Sequence, residues 1–178
     1  MTQPDKLNDT QAETAAFRID MVSRFRDLVR GALGDITPED ATPEVLELCS
    51  HQAIYSDSVS DMVTRSLASL RNNKPQADEA DEVNEDLESL TERAKLIIVF
   101  RAKLIDKLGD IFRDILREVD STPATPNKAK ILMTARNRLN ADAMGKIVNE
   151  IFRENQAAAA GAYFNSLAFA TNPDSPIK

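Results

Sequence analysis

Residues 83–119 read VNEDLESLTERAKLIIVFRAKLIDKLGDIFRDILREV, and the spacing of their apolar side chains decides the fold class. Val83, Leu87, Leu90, Ala94, Ile97, Arg101, Leu104, Leu108, Ile111 and Ile115 recur at alternating steps of four and three, and nine of these ten are apolar. A period near 3.5 residues sustained over this length marks an α-helix with one long contact seam. Ile98, Ile105, Phe112 and Val119 add a second stripe beside the first, so the contact face is wide. At its middle, Leu96 to Phe100 is apolar on every side and calls for neighbours all round.

The pattern stays helical in both directions. Upstream, a helix is expected from Thr10, where Thr10 and Glu13 have capping-box spacing, to Leu33, with Gly34 as a left-handed cap. Its apolar face is Phe17, Met21, Phe25, Leu28 and Ala32. Thr42-Pro43-Glu44 then combines an N-cap threonine, a proline at the first helical position and an acid at the positive end of the helix. A second helix is expected from Pro43 to Leu70 along Val45, Leu48, Tyr55, Val59, Met62 and Leu70. Asn72-Asn73-Lys74-Pro75 breaks the chain, and Gln76 to Glu92 holds eight acids and no base, so residues 72–82 read as an exposed acidic linker. Downstream, Pro123 and Pro126 end the long helix. A fourth helix runs on through Ile131, Leu132, Ala135, Leu139, Ile147 and Ile151, with Gly145 as a bend, and Ala157 to Ala170 closes the domain. No alternating strand pattern occurs. The expected architecture is all-α: an elongated bundle of four or five helices with one long central heptad-patterned helix, forming a single domain over residues 10–170 with disordered ends at 1–9 and 171–178.

Composition narrows the chemistry. The 178 residues, 42% hydrophobic and 29% charged, suit one globular domain, and a net charge of −7 repels phosphate backbones and anionic membranes. Nucleic acid is therefore a disfavoured partner. A single cysteine, Cys49, excludes an intramolecular disulfide, and with His51 as the lone histidine it leaves too few ligands for a Cys/His zinc site. Glycine-rich phosphate loops, a Gly-x-Ser-x-Gly elbow and the Glu-x-x-His spacing of di-iron proteins are all missing. Asp57-Ser58-Val59-Ser60-Asp61 opens like a calcium loop but lacks the glycine and closing glutamate. The expectation is a chain without enzymatic activity, cofactor or bound metal. No apolar run approaches the roughly 18–20 residues of a membrane span, and Met1 to Asn8 lacks a signal peptide's order. The expected compartment is cytoplasmic, with export by a route that reads no apolar signal left open.

Length then points to a partner. A helix from Val83 to Val119 would be about 55 Å long, against a diameter of about 40 Å for a compact domain of this size. Its excess apolar face predicts association through Leu90, Ala94, Ile97, Arg101, Leu104, Leu108, Ile111 and Ile115, with Arg101 as the polar seam residue that sets register. Acids from Asp78 to Glu92 followed by Arg93, Lys95, Arg101, Lys103, Lys107, Arg113 and Arg117 would match end to end in an antiparallel pair. On this reading Leu104→Asp yields a soluble monomer or an unfolded chain. Tyr163, Phe164, Leu167 and Phe169 form a second candidate docking element. The functional expectation is a non-catalytic protein-protein interaction protein, an adaptor, assembly factor or structural subunit, which associates as a homo-dimer or with a helical partner protein. Two alternatives are a signalling module with His51 as phosphoacceptor and a nucleic-acid-associated protein using the region around Arg136.

Overall fold

The computed structural model describes residues 4–72 and 90–170, with side chains for 9–72 and 90–158. Within these residues the fold is all-helical: α1 (Pro4–Leu33), α2 (Pro43–Ala53), α3 (Ser56–Arg71), α4 (Glu92–Glu118), α5 (Lys128–Arg138) and α6 (Ala141–Ala170). The acidic linker after Asn72, the tail at 171–178, Val83 and Leu87 lie outside the described residues.

The described residues form six helices where four or five were expected, because two small polar side chains break helices that the apolar pattern alone would continue. Ile54 leaves helical geometry at φ −113° and ψ 97°. There the Ser58 hydroxyl accepts from the Tyr55 N–H and donates to the Tyr55 carbonyl, both at 2.9 Å, which starts α3 afresh. Asn140 acts in the same way at α6, its Oδ1 accepting from the Ala143 N–H at 3.0 Å. The break therefore falls at Asn140 rather than at Gly145. The buried side of α2 also lies off the expected stripe. Val45, Leu48 and Tyr55, expected on the buried stripe, are exposed, and Leu46, Cys49, Ala53 and Ile54 are buried in their place. At the other end of the chain, α1 starts at Pro4, ahead of the Thr10 start, with a proline at the first helical position.

The long seam is shorter than its period suggested. The described α4 begins at Glu92, where the Thr91 side chain accepts from the Ala94 N–H, and its 27 residues span about 40 Å. Both α1 and α6, at 30 residues each, are longer. The overhang on which the length argument for a partner rested is absent from the described helix.

Helix α1 packs against α2, α3 and α4; α4 also meets α5 and α6, with α2 against α6 and α3 against α5. Pairings along the α1–α4 contact show that the two run antiparallel: Phe25 stacks on Phe112 at 4.3 Å between ring centroids, Arg26 pairs with Asp106 at 3.4 Å, and Arg18 with Asp120 at 3.1 Å. An arginine from each helix clasps the carboxyl end of the other. Arg18 Nε donates to the Ser121 carbonyl at 2.8 Å, and Arg101 donates to the carbonyls of Ile36, at 3.1 Å, and Gly34. A guanidinium suits the unpaired carbonyls and negative dipole of a helix end. Those ends are closed by left-handed residues, Gly34 at φ 51° and Asp120 at φ 49°. Arg24, paired with the buried Asp20 at 2.7 Å, also donates to Ser69 of α3 at 3.0 Å.

Gly109, within the long helix, sits where α1 crosses. A Cβ there would collide with the Arg26 side chain at Nε and crowd its Cγ and Cδ. Alanine gains about 1 kcal/mol of helix propensity, but displacing Arg26 from a packed site costs about 1–3 kcal/mol. Gly109→Ala is thus expected to destabilise the native chain by about 1 kcal/mol and to stabilise an Arg26→Ala background by a similar amount. Urea denaturation of the four variants measures this reversal of sign.

Candidate functional site

Helix α4 divides into two parts. From Phe100 onward its large apolar residues pack into the chain's own core: Leu104, Leu108, Phe112, Ile115 and Leu116 are all 0% exposed, and Ile111 packs at the edge of the same core. Of the expected interface residues, Leu104, Leu108 and Ile115 thus belong to the intramolecular core. Leu90, Ala94 and Ile97 are half-buried. Arg101 is occupied at the end of α1 and reaches Asp35 at 3.3 Å, so its place on the seam reflects capping within the chain.

Exposed apolar side chains occur on the first two turns of α4 and on α6, besides others on α1, α2 and α5. Leu96 is 59% exposed, Val99 44% and Phe152 41%. Leu96 and Val99 are three residues apart and share a side of the helix, while Phe152 is tilted against Phe100 at 5.9 Å. The period-based list of interface residues missed all three. Their signal was the run Leu96 to Phe100, apolar all round, which a helix can satisfy only with cover on every side. Tyr163, Phe164, Leu167 and Phe169 fall within α6, and their side chains lie outside those described.

A lattice of charges fastens α6 to α4 beside this surface. Lys107 meets Glu150 at 2.9 Å and Glu154 at 2.8 Å, and Lys103 meets Glu154 at 3.3 Å and Asn155 at 2.8 Å. These pairs run antiparallel. The hydrogen bond from Lys107, then that from Lys103, holds the Glu154 carboxyl below the ordinary glutamate range, and bonds to Glu150 and Glu154 raise the Lys107 ammonium above the ordinary lysine value. The stabilisation from Glu154 is therefore complete above the ordinary glutamate pKa and is lost as pH falls through its lowered folded value. That from Lys107 is complete below the ordinary lysine pKa and is lost as pH rises through its raised one. In Lys103→Ala/Lys107→Ala, the NMR titration midpoint of Glu154 is expected to return to the ordinary glutamate range. An identical midpoint in the native chain would contradict the lattice.

His51 is half-buried, with Nε2 3.3 Å from the Arg136 carbonyl, so this ring nitrogen links α2 to α5. Cys49 is buried, and burial pushes its thiol pKa up, away from nucleophilic use. A groove of about 770 Å³ between α1 and the end of α4 contains Arg18, Arg113 and Arg117. Asp120, Asp110 and Asp114 pair with these arginines in turn and balance the groove's charge. Among the described residues no three His, Cys, Asp or Glu side chains gather to hold a metal, and no helix is long and apolar enough to cross a membrane.

Comparison of the chain with protein-family models, with curated proteins and with solved structures finds no match.

Proposed function

We propose that this chain is a helical interaction protein that self-associates through the amino-terminal half of α4, with Leu96, Val99 and Phe152 at the centre of the contact. The single observation that carries the reading is the contrast along one helix: the heptad pattern is covered by the chain's own core from Phe100 onward, while before it Leu96 and Val99 meet solvent. Exposed apolar side chains grouped on one side of a helix mark protein contacts. The Lys103 and Lys107 pairs hold α6, and with it Phe152, beside this face. The role is structural or adaptor-like rather than catalytic, and the proposed compartment is the cytoplasm.

Sedimentation of the full chain tests the proposal. The native protein is expected to be a dimer, and Leu96→Asp/Val99→Asp a monomer with an unchanged circular dichroism spectrum, because exposed positions accept a carboxylate at a cost of about 0.5 kcal/mol or less. A native chain that sediments as a monomer at every concentration overturns this reading.

A further inference from the structure

The most basic element of this acidic chain is α5. From Ser121 to Ala141 the sequence has four bases and no acid. Arg138 is paired with Glu118 at 3.2 Å. Lys128, Lys130 and Arg136 are exposed and have no ion pair among the described residues. Met133, 67% exposed, lies three residues from Lys130 and three from Arg136, so these two cations flank an uncovered apolar side chain on one face, with Lys128 in the first turn outside it. This helix also breaks a rule that its neighbours keep. Helices α2, α3, α4 and α6 open with Glu44, Asp57, Glu92 and Asp142, whereas α5 opens with Lys128 and Lys130 at the positive end of its dipole. Cations there are unfavourable unless negative charge is supplied from elsewhere.

The complement is in the same sequence. Gln76 to Glu92 holds eight acids, no base, and the apolar Val83 and Leu87. This stretch enters α4 at Glu92, whereas α5 is tied to the opposite end of α4 through Glu118. A two-fold antiparallel contact centred on Leu96 and Val99 would direct the chain that precedes Glu92 along the other copy's α4 toward its Glu118 end. We infer that α5 is the docking face for the acid-rich stretch Asp78–Glu92 of a second copy of this chain. The inference rests on the self-association proposed above and specifies its geometry, with two reciprocal contacts per dimer. An apolar residue at the centre of the face and a net charge of −7 favour this occupant over a phosphate backbone.

Charge reversal in the full-length chain tests it. Lys128→Glu/Lys130→Glu/Arg136→Glu is expected to weaken dimerisation about tenfold or more in about 50 mM NaCl, and much less in about 300 mM, where screening is short-ranged. Asp81→Lys/Glu82→Lys/Glu85→Lys is expected to do the same. Mixed together, the two variants should form a hetero-dimer of near-native affinity, because each then meets its opposite across both contacts. Circular dichroism confirms that each variant is folded. A dimer that is lost in Leu96→Asp/Val99→Asp but unaffected by either charge reversal overturns the inference and leaves the α4 reading intact. So does a mixture that fails to pair while one chain carrying both reversals regains native behaviour, since the contact would then lie within one copy. Salt-sensitive binding of duplex DNA or single-stranded RNA, abolished by the α5 reversal, would assign the face to phosphate and overturn the inference as well.

Discussion

Leu104→Asp is expected to abolish cooperative folding rather than release a soluble monomer. Leu104 is 0% exposed within a single copy, part of a core that includes Phe17, Met21, Leu46 and Leu108. Removing its side chain costs about 2–5 kcal/mol. Placing a carboxyl group there without a partner adds several kcal/mol, whether it stays ionised or takes up a proton. Together these approach the whole stability of a domain, about 5–15 kcal/mol. At neutral pH the variant should show no sigmoidal thermal transition by far-UV circular dichroism, in contrast to Leu96→Asp a short distance along the same helix. A folded Leu104→Asp chain with the native melting profile would mean that the middle of α4 is covered by a partner and not by α1 and its neighbours.

Phe112→Ala is expected to be the most damaging truncation of a single core side chain. Its ring and that of Phe25 are stacked 4.3 Å apart at 23° and are both fully buried at the centre of the α1–α4 contact. Loss of a buried phenylalanine costs about 3–5 kcal/mol, and loss of the ring pair about 0.5–1.5 kcal/mol more. For a chain of this size that corresponds to a fall in melting temperature of about 10–15 °C. Phe25→Ala should have a similar effect. The double variant should fall short of the sum by about the energy of the ring pair, since the first truncation already removes it. Strict additivity in calorimetry would show that the two rings do not act together.

The helical class and the outer caps were legible because they depend on neighbours in sequence. Thr42-Pro43-Glu44 caps α2 as read, with Thr42 accepting from the Val45 N–H at 3.3 Å, and Gly34 closes α1 in the left-handed conformation. Phe17, Met21 and Phe25 are buried as the first stripe required, although Val29 and Leu33 take the places expected for Leu28 and Ala32. The breaks before Ser58 and Asn140 were harder to see, since serine and asparagine are tolerated within helices and their capping depends on a backbone that has already turned. The roles of Arg18 and Arg101 were out of reach, because the carbonyls they meet lie 103 and 65 residues away along the chain.

Taken alone, the order of residues determined that the chain is helical and that residues 83–119 carry a line of apolar side chains at helical period. It also determined that strong negative charge precedes that helix and positive charge follows it. Tertiary structure alone decided which part of the line is covered. Periodicity is a property of one helix, whereas burial depends on where other helices end: α1 stops at Leu33, held there by Arg101, and beyond that point Leu96 and Val99 of α4 are left exposed.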